Sequence, residues 1–141
     1  MSGSRTKIDA GPLRLLIADD SGAIRTILRQ LISSSGANWV VCGESPDGQD
    51  AVTKCAELHP NAVLLDLSLP LLSGLDAVKA IHREKLSLIP ILMSAQDPDV
   101  LRRIAAAAQV PYSISKSMLI EGLIPLLQSI SPQAPSGREA A

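Results

Sequence analysis

Short apolar runs and longer stretches of helical period take turns along this chain. The runs 13–18, 39–43, 62–67, 90–94 and 112–115 are bounded by turn-forming residues and read as five strands. The segments 22–34, 48–58, 74–84, 98–108 and 118–130 carry helical patterns with start signals and read as five helices. The first is the clearest: Ile24, Ile27, Leu28, Leu31 and Ile32 form one apolar stripe behind Ser21, a candidate N-cap. Strict alternation of strand and helix predicts right-handed crossovers, a parallel sheet and helices on both faces, a doubly wound α/β fold. Such a sheet is covered on both sides, which suits the unbroken apolar run Ala62, Val63, Leu64 and Leu65. Pro125 inside the last helix predicts a bend, or a late start near Gly122. The ends 1–12 and 131–141 are rich in small and polar residues and read as flexible tails around one domain, 13–130. No internal repeat is present.

Composition narrows the choices. The chain has 141 residues, 46% of them hydrophobic, which suits one domain with a real core and leaves no room for a second of ordinary size. A net charge of -1 gives no electrostatic footprint for direct nucleic-acid binding or an anionic membrane. Trp39 and Tyr112 are the only aromatic residues, so the core must be aliphatic and base-stacking platforms are excluded. Cys42 and Cys55 lie 13 positions apart without a CxxC pattern, which suits inert, reduced thiols better than a zinc site or a disulfide. The apolar run 13–18 is too short for a secretory signal and runs into two aspartates. A cytoplasmic protein without membrane attachment is expected.

In an open parallel sheet, function gathers at the carboxyl ends of the strands. Here those ends carry Asp19 and Asp20, then Asp66, then Ser94, with Lys116 after the last strand. Carboxylates held together repel one another and call for a cation. Magnesium suits them, since it takes oxygen ligands and no histidine is at hand for zinc or iron. Phosphoryl transfer needs positioning and charge neutralisation more than covalent help. In that chemistry Asp66 is the nucleophile, Lys116 offsets negative charge, and the Ser94 hydroxyl hydrogen-bonds a phosphoryl oxygen. Each residue alone has a plainer reading: Asp19 and Asp20 as a helix cap with a solvated charge, Ser94 as a strand-end hydroxyl satisfying backbone groups.

The segments LIADDS (16–21), LLDLSLPLLSGLDA (64–77), PILMSA (90–95) and ISK (114–116) resemble the four signature blocks of response-regulator receiver domains of two-component signalling, the CheY-like superfamily. The spacing adds to the match: Pro70 and Gly74 follow Asp66 by four and eight positions, Ser94 follows it by 28, and Lys116 follows Ser94 by 22. The resemblance implies a flavodoxin-like sheet of order 2-1-3-4-5 and Asp66 as phosphoacceptor. It implies Asp20 and Asp66 as direct Mg2+ ligands, with Asp19 assisting and the Ser68 backbone carbonyl as a further ligand. It implies a histidine kinase or histidine phosphotransfer protein as donor, and an unidentified output protein as partner.

Two positions depart from the family pattern. Ser117 stands where a proline often follows the lysine, a variation similar to receivers joined to helix-turn-helix output domains, so the lysine must be oriented by other means. The usual switch aromatic, three positions before the lysine, is replaced by Ser113, with Tyr112 one step earlier. Neighbouring strand residues face opposite ways, so the Tyr112 ring is expected to turn away from the switch pocket, leaving Ser94 to carry the switch.

Other features allow two readings. Leu69, Leu71 and Leu72 beside Asp66 make either a donor-docking surface or packing over the loop. The last helix is apolar on more than one face, which fits contact with a partner or with a second subunit in a homodimer. His59 at a helix end and His82 on a charged face do not read as phosphohistidines. Gln96 and Ser68 border the site. The competing functions are a phosphorylation-independent interaction module, a receiver fragment of a helix-turn-helix transcriptional regulator, and a phosphohydrolase. The last lacks the second acid two residues after the nucleophile, where Ser68 stands. No P-loop, nucleotide-binding glycine run, Ser-His-Asp set or HExxH motif is present.

Overall fold

The computed structural model describes residues 11–131; of the two expected tails, all but Gly11, Pro12 and Ser131 lies outside the described residues. Five strands and five helices alternate: β1 (Leu13–Ala18), α1 (Gly22–Ser33), β2 (Trp39–Ser45), α2 (Gly48–Leu58), β3 (Ala62–Asp66), α3 (Gly74–Arg83), β4 (Ile89–Ser94), α4 (Pro98–Ala107), β5 (Ser113–Ser115) and α5 (Leu119–Ile130). A single 3-10 turn, Lys116–Met118, joins β5 to α5. The strands pair in the order β2-β1-β3-β4-β5, every pair parallel, as the flavodoxin-like expectation required.

Helices begin where side chains relieve the orphan amides of the first turn. Ser21 accepts from the Ile24 N–H, Asp47 from Asp50, Ser73 from Asp76, and Asp97 from Asp99. Two apolar layers cover the sheet. Leu15, Ile17, Leu64, Ile91 and Met93 pack with residues of α1 and α5, while Leu16, Val63, Leu65 and Leu92 pack with residues of α2, α3 and α4. All five residues of β3 are buried. Each fully buried leucine contributes roughly 1.5–3 kcal/mol by leaving water, and the two-sided burial makes β3 the stiffest platform for what stands at its end.

Edge strand β2 carries an irregularity. Leu15 pairs with Val41 but Leu16 with Gly43, leaving Cys42 as an extra residue. At Gly43 a Cβ would come within 2.8 Å of Leu58 Cδ1 and 3.0 Å of Leu16 Cδ1, so a larger residue would make those side-chain ends shift. Cys42 and Cys55 are free thiols, and burial, with Cys42 nearby, pushes the Cys55 thiol up to about 12, so it stays protonated and unreactive.

The C-terminal region corrects the sequence reading. The last helix does not start late near Gly122, for α5 runs from Leu119 through Pro125 to Ile130. Leu119, Leu123 and Leu127 are buried one turn apart, and this apolar stripe outweighs the hydrogen bond that Pro125 cannot donate. Pro125 and the residue four before it, Glu121, are both exposed, so this side of the helix is open to solvent. Ser131 belongs to the packed body, not to a tail: it is 5% exposed and its hydroxyl accepts from Trp39 Nε1 at 3.4 Å. Among the described residues no helix is long and apolar enough to cross a membrane.

Candidate functional site

Parallel strands bring their carboxyl ends to one edge, and the four polar strand ends meet there. Asp19 follows β1 and is fully buried; Asp20 beside it is exposed; Asp66 ends β3 and Ser94 ends β4, both buried. Ligand oxygens of Asp19, Asp20 and Asp66 lie within 4.8 Å of one another. Lys116 Nζ stands 2.7 Å from Asp19 Oδ2 and 2.9 Å from Asp66 Oδ1, bridging the two buried acids. Over them opens a cavity of about 490 Å³ lined by Asp20, Asp66, Ser68, Ser94, Gln96 and Lys116.

The electrostatics follow from burial. Loss of water pushes the Asp66 carboxyl above its usual value; Lys116 pulls it down, Asp19 pushes it up again, and the net direction is upward. Burial also disfavours the Lys116 ammonium, but contacts with Asp19 and Asp66 outweigh that and its value lies above the ordinary one. Three carboxylates against one ammonium leave negative charge over, and the donor set is all oxygen. That set fits a hard divalent cation.

Local structure fixes each acid. The Asp19 N–H donates to the Ser45 carbonyl at 3.0 Å, and Asp19 Oδ1 accepts from the Ser21 N–H at 2.9 Å. Arg25 reaches back from α1 and donates to the Asp19 carbonyl at 2.6 Å, while Glu44 holds Arg25 at 3.0 Å and Arg29 at 2.6 Å. On the other side, the Leu67 N–H donates to the Met93 carbonyl and the Gly74 N–H to the Leu67 carbonyl. At Gly74 a Cβ would sit 2.4 Å from the Asp66 carbonyl oxygen, which explains physically why a glycine stands eight residues after the acid. The leucines of this loop differ in exposure: Leu69 is buried and packs over the loop, Leu72 is half-buried, and Leu71 is 73% exposed with a positive φ of 67°.

Lys116 is oriented without a following proline. Ser115, 3% exposed, donates its hydroxyl to the Gln96 carbonyl at 2.9 Å and lies 3.1 Å from the Ser117 hydroxyl. Gln96 in turn donates its N–H to Ser94 Oγ at 3.0 Å. Tyr112 packs against the layer under α1 and α5, whereas Ser113 borders a 290 Å³ groove with Ala105, Ala106, Val110 and Pro111 on the α4 side. The ring is thus on the face opposite the one a residue at 113 would fill. His59 caps α2 in the left-handed conformation, and His82 lies in the last turn of α3; neither lines the cavity.

Sequence reasoning missed Arg25, Glu44 and Ser115. Two arginines four residues apart beside the apolar stripe of α1, and serines at alternate positions 113, 115 and 117 around the lysine, were the available signals.

With this geometry established, likeness to known proteins adds a family. The chain is 35% identical over 130 residues to the transcriptional regulatory protein PdtaR of Mycobacterium tuberculosis, covering 91% of this chain and 62% of that protein. It therefore spans less than two thirds of the length of these regulators. It is 36% identical over 114 residues to the chemotaxis protein CheY of Thermotoga maritima, 78% of this chain and 93% of that one. The crystal structure of the response regulator domain of Thermotoga maritima CheB superposes with a TM-score of 0.71 at 28% identity, covering 89% of this chain and 97% of that one. A profile described as "Response regulator receiver domain" matches residues 15–128. The chain belongs to the response regulator receiver domain family of two-component systems.

Proposed function

We propose that the chain is a phosphoacceptor switch that takes a phosphoryl group on Asp66 from a histidine kinase or histidine phosphotransfer protein. The reading is carried by one observation: the Lys116 ammonium sits between Asp66 and Asp19 at the floor of an open cavity. An Asp66 carboxylate oxygen attacks phosphorus, the bond from phosphorus to the donor nitrogen breaks, and the leaving nitrogen keeps the electron pair and takes a proton from water. Lys116 offsets charge on the transferred group. The Ser94 oxygen accepts from Gln96, so its own hydrogen can turn to a phosphoryl oxygen. Asp20, Asp66 and the Ser68 carbonyl, with Asp19 assisting, are the residues to hold Mg2+, which when bound supplies positive charge beside the attacking oxygen.

The chain's own chemistry is at most self-catalysed phosphorylation and dephosphorylation in the cytoplasm. Output comes from a changed surface that binds a partner protein, with Ser94 as the moving part and Tyr112 outside it. The name of the 35% identical relatives favours transcriptional control as the process served. A net charge of -1 favours reaching it through a partner rather than through DNA contact by this domain. Incubation with Mg2+ and acetyl phosphate, read by intact mass, is expected to add one phosphoryl group to wild type and none to Asp66→Asn. Equal partner affinity of Asp66→Asn and phosphorylated wild type would favour the phosphorylation-independent module instead.

A further inference from the structure

We propose that the Ser115 hydroxyl is a positioning group that ties the loop carrying Ser94 to the turn carrying Lys116, so that the two side chains reach Asp66 as one unit. This rests on the phosphoacceptor reading and names its internal coupling.

A serine has one hydrogen to give. Ser115 gives it to the Gln96 carbonyl, which can only accept, at 2.9 Å. Its contact with Ser117 at 3.1 Å must then run the other way, with Ser117 donating. Gln96 gives its N–H to Ser94 Oγ at 3.0 Å. The chain of donors therefore runs without conflict from Ser117 through Ser115 to Gln96, whose C=O and N–H lie in the two peptide units on either side of its Cα, and on to Ser94.

Residues 96 and 115 are 19 apart in sequence, and β5 has only three residues, so few ladder bonds fix the start of the Lys116 turn. Ser115 is 3% exposed, which keeps water from replacing this bond. A rotation of Ser94 toward a new acceptor releases or redirects the Gln96 N–H, and the Gln96 carbonyl carries that displacement to Ser115 and to the lysine beside it. The route involves no aromatic ring, in keeping with the serine at 113 and the placement of Tyr112 under α1 and α5.

The test uses the full chain with Mg2+ and acetyl phosphate, following the rate of phosphorylation at Asp66, with 19F spectra of the bound beryllofluoride as a second readout. Ser115→Ala is expected to slow phosphorylation by roughly five- to tenfold, the size of one lost buried hydrogen bond, and Ser115→Thr to restore it. Ser94→Ala combined with Ser115→Ala is expected to lose no more than about twofold beyond the larger single loss, because both cut one chain. Multiplying losses, or a Ser115→Ala rate equal to wild type, would overturn the coupling while wild type still takes the adduct. Wild type that takes neither phosphoryl group nor beryllofluoride overturns the phosphoacceptor reading and the coupling with it. If thermal melting shows Ser115→Ala unfolded, Ser117→Ala at the exposed end of the same chain is expected to slow the reaction about twofold, and an unchanged rate there counts against the proposal.

Discussion

The two halves of the crevice are held by different forces. Between β1 and β3, buried charges face one another and a single ammonium keeps Asp19 and Asp66 together. Between β4 and β5 the links are neutral: Gln96 to Ser94, Ser115 to Gln96, Ser117 to Ser115. A neutral hydrogen bond contributes about 1 kcal/mol net, whereas removing one partner of a buried ion pair exposes the whole desolvation penalty of the other. The acidic half is therefore strong and intolerant, and the hydroxyl half is weak enough to rearrange. Intolerance of change belongs to the first and motion to the second.

The comparison breaks most visibly at Lys116. Lys116→Met leaves Asp19 and Asp66 confronting each other without a cation, and is expected to lower unfolding free energy by about 3–5 kcal/mol at neutral pH. Burial already raises the Asp66 carboxyl, so as pH falls the folded form takes up a proton before the unfolded form does, and the deficit shrinks. Urea titrations of both proteins across the acid range read this directly. A pH-independent loss below about 1 kcal/mol would mean that the acids do not press on one another.

A smaller effect is expected from the backbone side of the same half. Gly74→Ala places a methyl group against the Asp66 carbonyl, and should destabilise by roughly 1–3 kcal/mol while weakening beryllofluoride uptake. An alanine variant that melts lower but takes the mimic normally would separate packing of α3 from placement of the acid.

The smallest effect lies at the rim. Burial works against the Glu44 carboxylate, but hydrogen bonds and charge from Arg29 and Arg25 hold it below the usual range. Its contribution is therefore present above 4.5 and fades as pH falls through the lowered folded value. Glu44→Gln is expected to lose about 0.5–1 kcal/mol at neutral pH, with the gap closing on acidification, as paired thermal melts would record. A gap that widens in acid contradicts the assignment.

The acidic half was also the more legible in sequence. Asp19, Asp20, Asp66 and Lys116 each sit at the end of an apolar run, and once the runs are parallel strands their meeting follows from topology. In the hydroxyl half Ser94 and Gln96 were legible but the link to Ser115 was not, because a bond from Ser115 to the Gln96 carbonyl depends on how two loops approach, and no local period records that distance. Arg25 went unnoticed for the same reason: its partners are a carbonyl six residues back and a carboxylate on the neighbouring strand. The late start considered for α5 does not occur because proline propensity is local, while the burial of Leu119, Leu123 and Leu127 is not. Ser131 was assigned to a tail by composition, although its hydroxyl meets a tryptophan 92 positions away.

The extra residue in β2 has a bearing on how this domain tolerates change. Because Cys42 is uncounted in the pairing with β1, every later residue of that strand arrives one place further along than simple counting gives. Deleting it would close the bulge and leave the later pairs in place, with Glu44 beside its two arginines and the Ser45 carbonyl on the Asp19 amide. The bulge thus holds one residue of slack at the sheet's edge, and losing that codon would spare the strand from that point to the acid it supports.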